Sequence, residues 1–275
     1  MLSENELIDN INSASREMRK KIITMTYNTG RTGAHIGGGL SLVEIMAVLY
    51  LGILKYDIAN LETDDRDRLV FSKGHGALAL YTAMWKAGIL SDDDLMCFKH
   101  DESPISAHPS MNAKLGIDFS SGSLGQGLSL AVGVALALKR KKQSDLKVYV
   151  ILGDGECDEG SIWEAASYAS HMKLDNIVVI IDNNGLQYDG RTDDILSMNP
   201  MKEKWESFGW DCVTVDGHNT EMLYTELKKN HNMPFVIIAD TTKGKGVSFM
   251  ENNPLWHNGK LSEKQYEQAI SEVDM

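Results

Sequence analysis

Two short polar sequences follow apolar runs and contain the residue types that bind a metal ion and phosphate. One run ends in Gly-Asp-Gly at residues 153–155, and a second ends in Asp-Asn-Asn-Gly at residues 182–185. A helical pattern separates them, so a βαβ unit is predicted, in which both strands end at the same edge of a parallel sheet. Asp154 and Asn184 are therefore expected side by side. Their carboxylate and amide oxygens suit a hard divalent cation, and the glycines let a diphosphate approach the backbone.

Other glycine-rich or acidic motifs do not fit this region. Counted from Asp154 as an EF-hand loop, the sixth position is Glu159 rather than Gly, and the twelfth is Ala165 rather than Glu. The sequence contains neither the GxGxxG dinucleotide fingerprint nor the GxxxxGK[ST] phosphate loop. The strand, Gly-Asp-Gly, helix, strand, Asn-Asn order is much more specific than any of its parts.

The rest of the chain alternates between strand and helix patterns. Strands are predicted at residues 68–72, 148–152, 177–181, 210–215 and 235–240. Helices are predicted at residues 7–25, 42–51, 92–99, 125–142 and 219–230, before residue 86, between the two central strands and at the carboxyl end. Ser41 is predicted to be an N-cap, and residues 29–39 and 241–260 are predicted to be loops. This alternation predicts one α/β domain over residues 1–275, with a mainly parallel sheet and helices on both faces.

Composition restricts the function classes. The net charge is −12 and the pI is about 5.1, which argues against nucleic-acid or membrane partners. The three cysteines have no CxxC spacing, so neither a disulfide framework nor a zinc site is expected. Because the amino terminus does not resemble a signal peptide and no apolar run could span a bilayer, a cytoplasmic location is predicted.

The polar motifs resemble the thiamine diphosphate motif, and further stretches resemble the N-terminal half of transketolase in the same order along the chain. These stretches are GAHIGGGLS (33–41), FSKGHG (71–76), AHP (107–109), SGSLGQG (121–127), TTKGKGV (241–247) and WH (256–257). The resemblance implies the thiamine diphosphate-binding fold. It also implies that the cofactors are thiamine diphosphate and Mg²⁺, with Ca²⁺ or Mn²⁺ as substitutes.

Residue roles follow from the same resemblance. Asp154, Asn184 and the backbone carbonyl of Leu186 are expected to bind the metal. The residues expected to contact the cofactor are His35, His75, Gly122, Ser123, Leu124, Gly153, Asp154, Gly155, Asn184, Leu186, Lys243 and His257.

Four loop histidines are expected to divide two tasks. By resemblance, His75 and His257 approach the diphosphate, while His35, His108 and His257 line the substrate channel and are catalytic. An imidazole donates or accepts protons near neutral pH, which suits cleavage of a ketose carbon–carbon bond. Zinc binding is a poor alternative, because no two of these histidines have helical i, i+4 spacing and no cysteine accompanies them.

The resemblance also predicts the partners. Transketolases carry a second, pyrimidine-binding domain, and this sequence ends at Met275 before any such domain. A separately encoded C-terminal subunit is therefore expected, in an α2β2 heterotetramer whose like subunits meet through the helix bearing Glu159 and Glu164. Alone, the chain is expected to be inactive.

The leading functional hypothesis is transfer of a two-carbon ketol unit between sugar phosphates in pentose phosphate metabolism. One alternative is a transketolase for a specialised ketose, such as a sulfonated or branched sugar. Ile36 stands where transketolases more often have proline and Ser110 where an acidic residue is usual. Both change the lining of the channel, so the sequence leaves the donor and acceptor sugars open. The sequence also leaves open a deoxyxylulose-phosphate synthase, the α-chain of a 2-oxoacid dehydrogenase, and a cofactor-less scaffold.

Overall fold

The computed structural model describes residues 3–143 and 145–274. The predicted domain of residues 1–275 thus also includes Met1, Leu2, Ser144 and Met275, which lie outside this description. Within the described residues, the strands are β1 (Arg68–Phe71), β2 (Val148–Gly153), β3 (Ile177–Asn183), β4 (Asp211–Asp216) and β5 (Phe235–Asp240). They form a five-stranded sheet in the order β1-β2-β3-β5-β4, and every neighbouring pair is parallel.

Helices cover both faces of this sheet. They are α1 (Glu4–Asn28), α2 (Ile36–Leu40), α3 (Val43–Val48), α4 (Ala77–Lys86), α5 (Asp92–Met96), α6 (Gly127–Arg140), α7 (Gly160–His171), α8 (Thr192–Leu196), α9 (Met201–Ser207), α10 (Thr220–Lys228) and α11 (Glu263–Asp274). Alternate residues of β2 enter different cores: Tyr149 and Ile151 pack with α1, α3 and α4, whereas Val148 and Val150 pack with α6 and α7. This alternation follows from the period of two along a strand, and it confirms the predicted α/β sheet with helices on both faces.

Local structure differs from the prediction around the glycine-rich segment. The predicted loop at residues 29–39 contains the start of the buried helix α2, where a Cβ on Gly37 would lie 2.6 Å from the Trp256 carbonyl oxygen. Glycine therefore allows close packing here rather than marking a loop. The N-cap prediction for Ser41 is wrong, because Leu42 precedes α3. The Ser41 hydroxyl instead donates to the Gly38 carbonyl at 3.1 Å and to the buried carboxylate of Asp182, in β3, at 2.6 Å.

Two short helices, α8 and α9, were not predicted. They occupy the connection between β3 and β4 and are too short to show a clear helical period. Among the described residues, no helix combines the length and the apolar character needed to cross a membrane.

Candidate active site

The candidate site lies where β2 and β3 end side by side. Gly153, the last residue of β2, pairs with Asp182 of β3. The Asp154 carboxylate accepts the N–H of Gly155 at 2.9 Å and the N–H of Gly185 at 2.6 Å. Asp154 therefore connects the two strand ends directly.

Asn184 lies at the end of β3 and faces the same region. Its amide nitrogen donates to the Asp182 carboxylate at 3.2 Å, and its Oδ1 accepts the Leu186 N–H at 3.1 Å. The Leu186 carbonyl accepts a hydrogen bond from the Lys243 ammonium at 3.0 Å. Asp154, Asn184 and Leu186 all line one cavity of about 310 Å³. The structure thus brings the three predicted metal ligands together.

A buried ion pair forms the floor of this cavity. The ammonium of Lys73, which follows β1, contacts the carboxylate of Asp182, and neither side chain is more than 2% exposed. The hydroxyls of Ser41 and Thr241 also donate to this carboxylate. Burial would raise the pKa of Asp182, but Lys73 and the hydroxyl hydrogen bonds outweigh burial and hold that pKa below its ordinary value. Asp182 is therefore ionised and fixes the Lys73 cation at the cavity wall.

A second buried carboxylate, that of Glu156, fixes the loop that carries Leu124. Its two oxygens accept the backbone N–H of Gly125 at 2.9 Å and of Gly153 at 3.1 Å, and the Ser72 hydroxyl also donates to it. Leu124 lines the cavity beside these contacts. Glu156 thus ties the loop to the ends of β1 and β2.

The four predicted histidines converge in one cluster, which we call the mouth of the site, and two of them, His75 and His257, line the cavity. The ring centroid of His35 lies 5.2 Å from that of His108, 5.4 Å from that of His257 and 6.0 Å from that of His75. The rings of His75 and His257 stack at 5.0 Å. His257 Nδ1 lies 3.0 Å from the Lys243 ammonium. Loops that are far apart in sequence therefore build one imidazole cluster.

These imidazoles are neutral at neutral pH. Burial, together with the neighbouring His108, lowers the pKa of His35 to about 4. Burial and Lys243 lower the pKa of His257 to about 3. Burial also lowers the pKa of His108, and it lowers that of His75 well below the ordinary value. A neutral imidazole offers one N–H donor and one acceptor nitrogen, which matches hydroxyl and carbonyl groups of a sugar.

The remaining predicted residues lie at different distances from the cavity. A Cβ on Gly122 would meet the His108 ring at 3.7 Å, so Gly122 lies beside the histidine cluster. Ser123 lines a separate recess of about 20 Å³ beside the end of β1. Glu159 precedes the first residue of α7 and lines the cavity rim, whereas Glu164 is exposed on α7.

The residues present fit a divalent cation. Asp154 is 5% exposed, and burial raises its pKa to about 6 despite the opposing effect of Lys73, so a bound cation would offset the burial of its charge. The amide of Asn184 and the carbonyl of Leu186 add neutral oxygens, the ligand type that Mg²⁺ prefers. Within residues 3–143 and 145–274, no group of three or more His, Cys, Asp or Glu could hold a metal.

The residues also fit a diphosphate. Lys73 lines the cavity, and Lys243 lies directly behind Leu186 and His257. Burial, with Lys73 adding to its effect, lowers the pKa of Lys243 to about 8. An anionic ligand next to these two ammonium groups would be favoured electrostatically.

Two residues of this floor, Lys73 and Asp182, were not predicted to have a role. Each has a recognisable signal, because each is a charged residue placed at the end of an apolar strand. Their pairing joins β1 to β3 across the intervening β2, and no local pattern in the sequence reports such a contact.

Comparison with known proteins identifies the family. Residues 16–274 match the family model described as transketolase, thiamine diphosphate binding domain. The chain therefore belongs to this family.

Two relatives match almost from end to end. A 6-deoxy-6-sulfo-D-fructose transketolase subunit, SqwG, from Clostridium sp. (strain MSTE9) is 41% identical over 89% of this chain and 90% of its own length. One of the subunits of an apulose-4-phosphate transketolase from Actinobacillus succinogenes is 39% identical over 96% of each chain.

The chain covers less than half the length of several other relatives. It is 36% identical to human transketolase over 93% of its own residues but only 41% of the human protein. Among solved structures, transketolase from Campylobacter jejuni superposes with a TM-score of 0.86 at 30% identity, over 100% of this chain and 43% of the other. Transketolase from Leishmania mexicana gives a TM-score of 0.87 at 28% identity, over 100% and 42%.

Proposed function

We propose that this chain is the thiamine diphosphate-binding subunit of a two-chain, Mg²⁺-dependent transketolase that transfers a two-carbon ketol unit from a ketose to an aldose. The observation that carries the proposal is the convergence of Asp154, Asn184, the Leu186 carbonyl and Lys73 in one cavity beneath four neutral imidazoles.

The floor of the cavity binds the cofactor's charged end. Asp154, Asn184 and the Leu186 carbonyl hold Mg²⁺, with Ca²⁺ or Mn²⁺ as substitutes, while Lys73 and Lys243 balance the diphosphate charge. Gly153 and Gly155 leave room for it next to the backbone. When bound, thiamine diphosphate supplies the electron sink for carbon–carbon bond cleavage.

The histidines act on the sugar. His35, His108 and His257 hydrogen-bond the ketose hydroxyls and carbonyl and move protons as the bond breaks, whereas His75 and His257 also contact the diphosphate. Their lowered pKa values keep an acceptor nitrogen available at neutral pH. Leu124 packs against the cofactor, and Gly122 and Ser123 position the adjoining loop.

A separate pyrimidine-domain subunit completes the site. Three relatives that match over nearly their whole length are named as subunits. Beside His257, Leu255 is 83% exposed and Tyr188 is 71% exposed, which suits a surface covered by a partner. Residues 1–275 then form a single domain of a cytoplasmic α2β2 heterotetramer, whose like subunits meet through α7 and its acidic residues Glu159 and Glu164.

Two donor classes follow. The first is an ordinary ketose phosphate of pentose phosphate metabolism. The second is a specialised ketose, favoured because three relatives of matching length are named for 6-deoxy-6-sulfofructose or apulose 4-phosphate. Assay of the two-subunit complex with xylulose 5-phosphate and with these two sugars decides between the classes, since the preferred donor should have the highest kcat/KM.

Asp154→Ala tests the cofactor site. Because loss of an outer-shell partner already weakens metal sites by about 10- to 100-fold, loss of this ligand should weaken Mg²⁺-dependent thiamine diphosphate binding by at least about 100-fold. Calorimetric titration of the two-subunit complex measures this. Asp189→Asn is the matched control, since Asp189 also lines the cavity but is exposed. Equal affinity in D154A and D189N would contradict the proposal.

A further inference from the structure

A network of hydrogen-bonded polar side chains lies beside the cavity and ends on the loop that carries Lys243. Arg19 of α1 donates from Nη2 to Glu44 Oε1 at 2.7 Å. The second Glu44 oxygen lies 2.9 Å from His218 Nδ1. The backbone N–H of Thr242 donates to His218 Nε2 at 2.8 Å. Arg19 and Glu44 are only 7% and 8% exposed, so these two side chains are part of the protein interior.

The hydrogen bonds determine which atoms of this network donate and which accept. Because Thr242 donates to Nε2, that nitrogen carries no proton, and the proton on Nδ1 is donated to Glu44. Burial would raise the pKa of Glu44, but the hydrogen bond from His218 and the attraction of Arg19 together hold it below its ordinary value. A charged carboxylate therefore selects the imidazole tautomer that can accept the loop amide.

The same network contacts the loop that carries Lys243 a second time. Arg19 Nε donates to the Lys245 carbonyl at 3.0 Å. Gly246, with a φ of +90°, allows this approach, because a Cβ there would lie 2.6 Å from Arg19 Cδ. The two contacts flank Lys243, whose ammonium reaches Leu186 O and His257 Nδ1.

We propose that Arg19, Glu44 and His218 are positioning residues that fix the loop at residues 241–247 and thereby hold Lys243 in the cofactor site. Among the described residues that line the cavity, none of the three is found, so they act through the loop rather than by contact with a ligand. The consequence for cofactor affinity rests on the proposed function, whereas the fixing of the loop does not.

Isosteric variants of His218 separate its two contacts. His218→Gln keeps an oxygen acceptor near the position of Nε2, whereas His218→Asn keeps only a polar group near Nδ1. Hydrogen–deuterium exchange of the purified full chain, followed on peptides covering residues 241–247, reports the Thr242 amide. H218N should exchange about tenfold faster than wild type, since the partly buried Thr242 amide loses its acceptor, and H218Q should stay within about threefold.

Asp118→Asn is the matched control for general destabilisation. Asp118 pairs with the buried Arg66 at 2.6 Å in another part of the fold. D118N should lower the unfolding midpoint without selectively raising exchange in the loop. Wild-type exchange in H218N, or a rise spread over the whole chain as in a destabilised control, would overturn the proposal. Should H218N fail to fold, Glu44→Gln replaces it, because Arg19 and His218 bond different oxygens of Glu44 and the amide NH2 that replaces one of them cannot accept; faster loop exchange is again expected.

Titration of the two-subunit complex with thiamine diphosphate then tests the link to the site. H218N should raise the Kd about tenfold while kcat at saturating cofactor stays near wild type. A wild-type Kd in a variant with a loosened loop would overturn the role of the loop in cofactor binding. If the wild-type complex itself binds no cofactor, the proposed function fails while the exchange result still decides whether the loop is fixed.

Discussion

The floor and the mouth of the cavity satisfy their polar groups in different ways. The floor consists of Lys73, Asp154, Asp182 and Asn184, and the mouth consists of His35, His75, His108 and His257. Each floor residue is buried and bonded to other parts of the chain. At the mouth, His257 contacts Lys243, but the rings of the other three histidines donate and accept no hydrogen bond within residues 3–143 and 145–274.

This difference implies that the floor and the mouth are suited to binding ligands in different ways. In the floor, the charges of Lys73 and Asp182 are paired and Asp154 and Asn184 are hydrogen-bonded, so the site geometry is fixed by the fold before anything binds. At the mouth, neutral imidazoles keep free donors and acceptors, which remain available to a sugar or a partner subunit. Substitutions in the floor should therefore affect stability, whereas substitutions at the mouth should affect turnover.

Asp182→Asn should have the largest effect, on stability. The change leaves the buried Lys73 ammonium without its counter-charge, and breaking a buried pair in this way typically costs about 3–5 kcal/mol. The free energy of unfolding from urea titration measures the loss. Asp240→Asn is the control, because Asp240 is exposed at the end of β5 and, within the described part of the chain, its side chain bonds only the neighbouring Asn183, at 2.7 Å. It should lose less than about 1 kcal/mol. Similar losses of unfolding free energy in D182N and D240N would mean that a floor residue contributes no more to stability than an exposed carboxylate does.

His108→Ala should have the next largest effect, on turnover. Removal of a group that transfers protons typically lowers rates by about 10²-fold or more, equivalent to about 2.7 kcal/mol. The expected result is a kcat/KM of the two-subunit complex reduced by about this factor, with the free energy of unfolding near wild type. The exposed His100 supplies the control variant His100→Ala. A loss of stability in H108A that exceeds its loss of turnover would place His108 with the floor.

The same contrast explains what the sequence could predict. Asp154 and Asn184 were predictable from residue type and position, because parallel strands connected by a helix must end at one edge. The Lys73–Asp182 pair was not, since it joins β1 to β3 across β2 and depends on the strand order. The histidine cluster followed only from family resemblance, as loop conformations have no period to read. Helix α2 was missed because its glycines look like loop residues, although Gly37 serves close packing against Trp256.

The smallest expected effect is a difference between floor and mouth in the pH dependence of stability. The pKa of His35 falls from 6.5 to about 4 in the folded chain, so below pH 6.5 the unfolded chain binds a proton that the folded chain does not. Stability contributed by the neutral ring is thus lost as the pH falls from about 6.5 to about 4. Asp182, whose pKa is held below 3.8, loses its contribution only at lower pH. Between pH 6.5 and 4, His35 therefore contributes to the change in stability and Asp182 does not.

His35→Gln should flatten the stability curve in this window. Because His35 is partly exposed and solvent screens its interactions, we expect a difference of about 1 kcal/mol between pH 7 and pH 4.5, well below the full value of the pKa change. Urea unfolding of the purified chain at several pH values measures it. The difference from wild type is the informative quantity, since the raised pKa of Asp154 changes stability in the opposite direction over part of this range. His171→Gln, at an exposed position of α7, is the control. A curve for H35Q that parallels wild type from pH 7 to 4.5 would mean that the His35 ring is not held neutral by its neighbours, and the mouth would lose its distinction from an ordinary solvated surface.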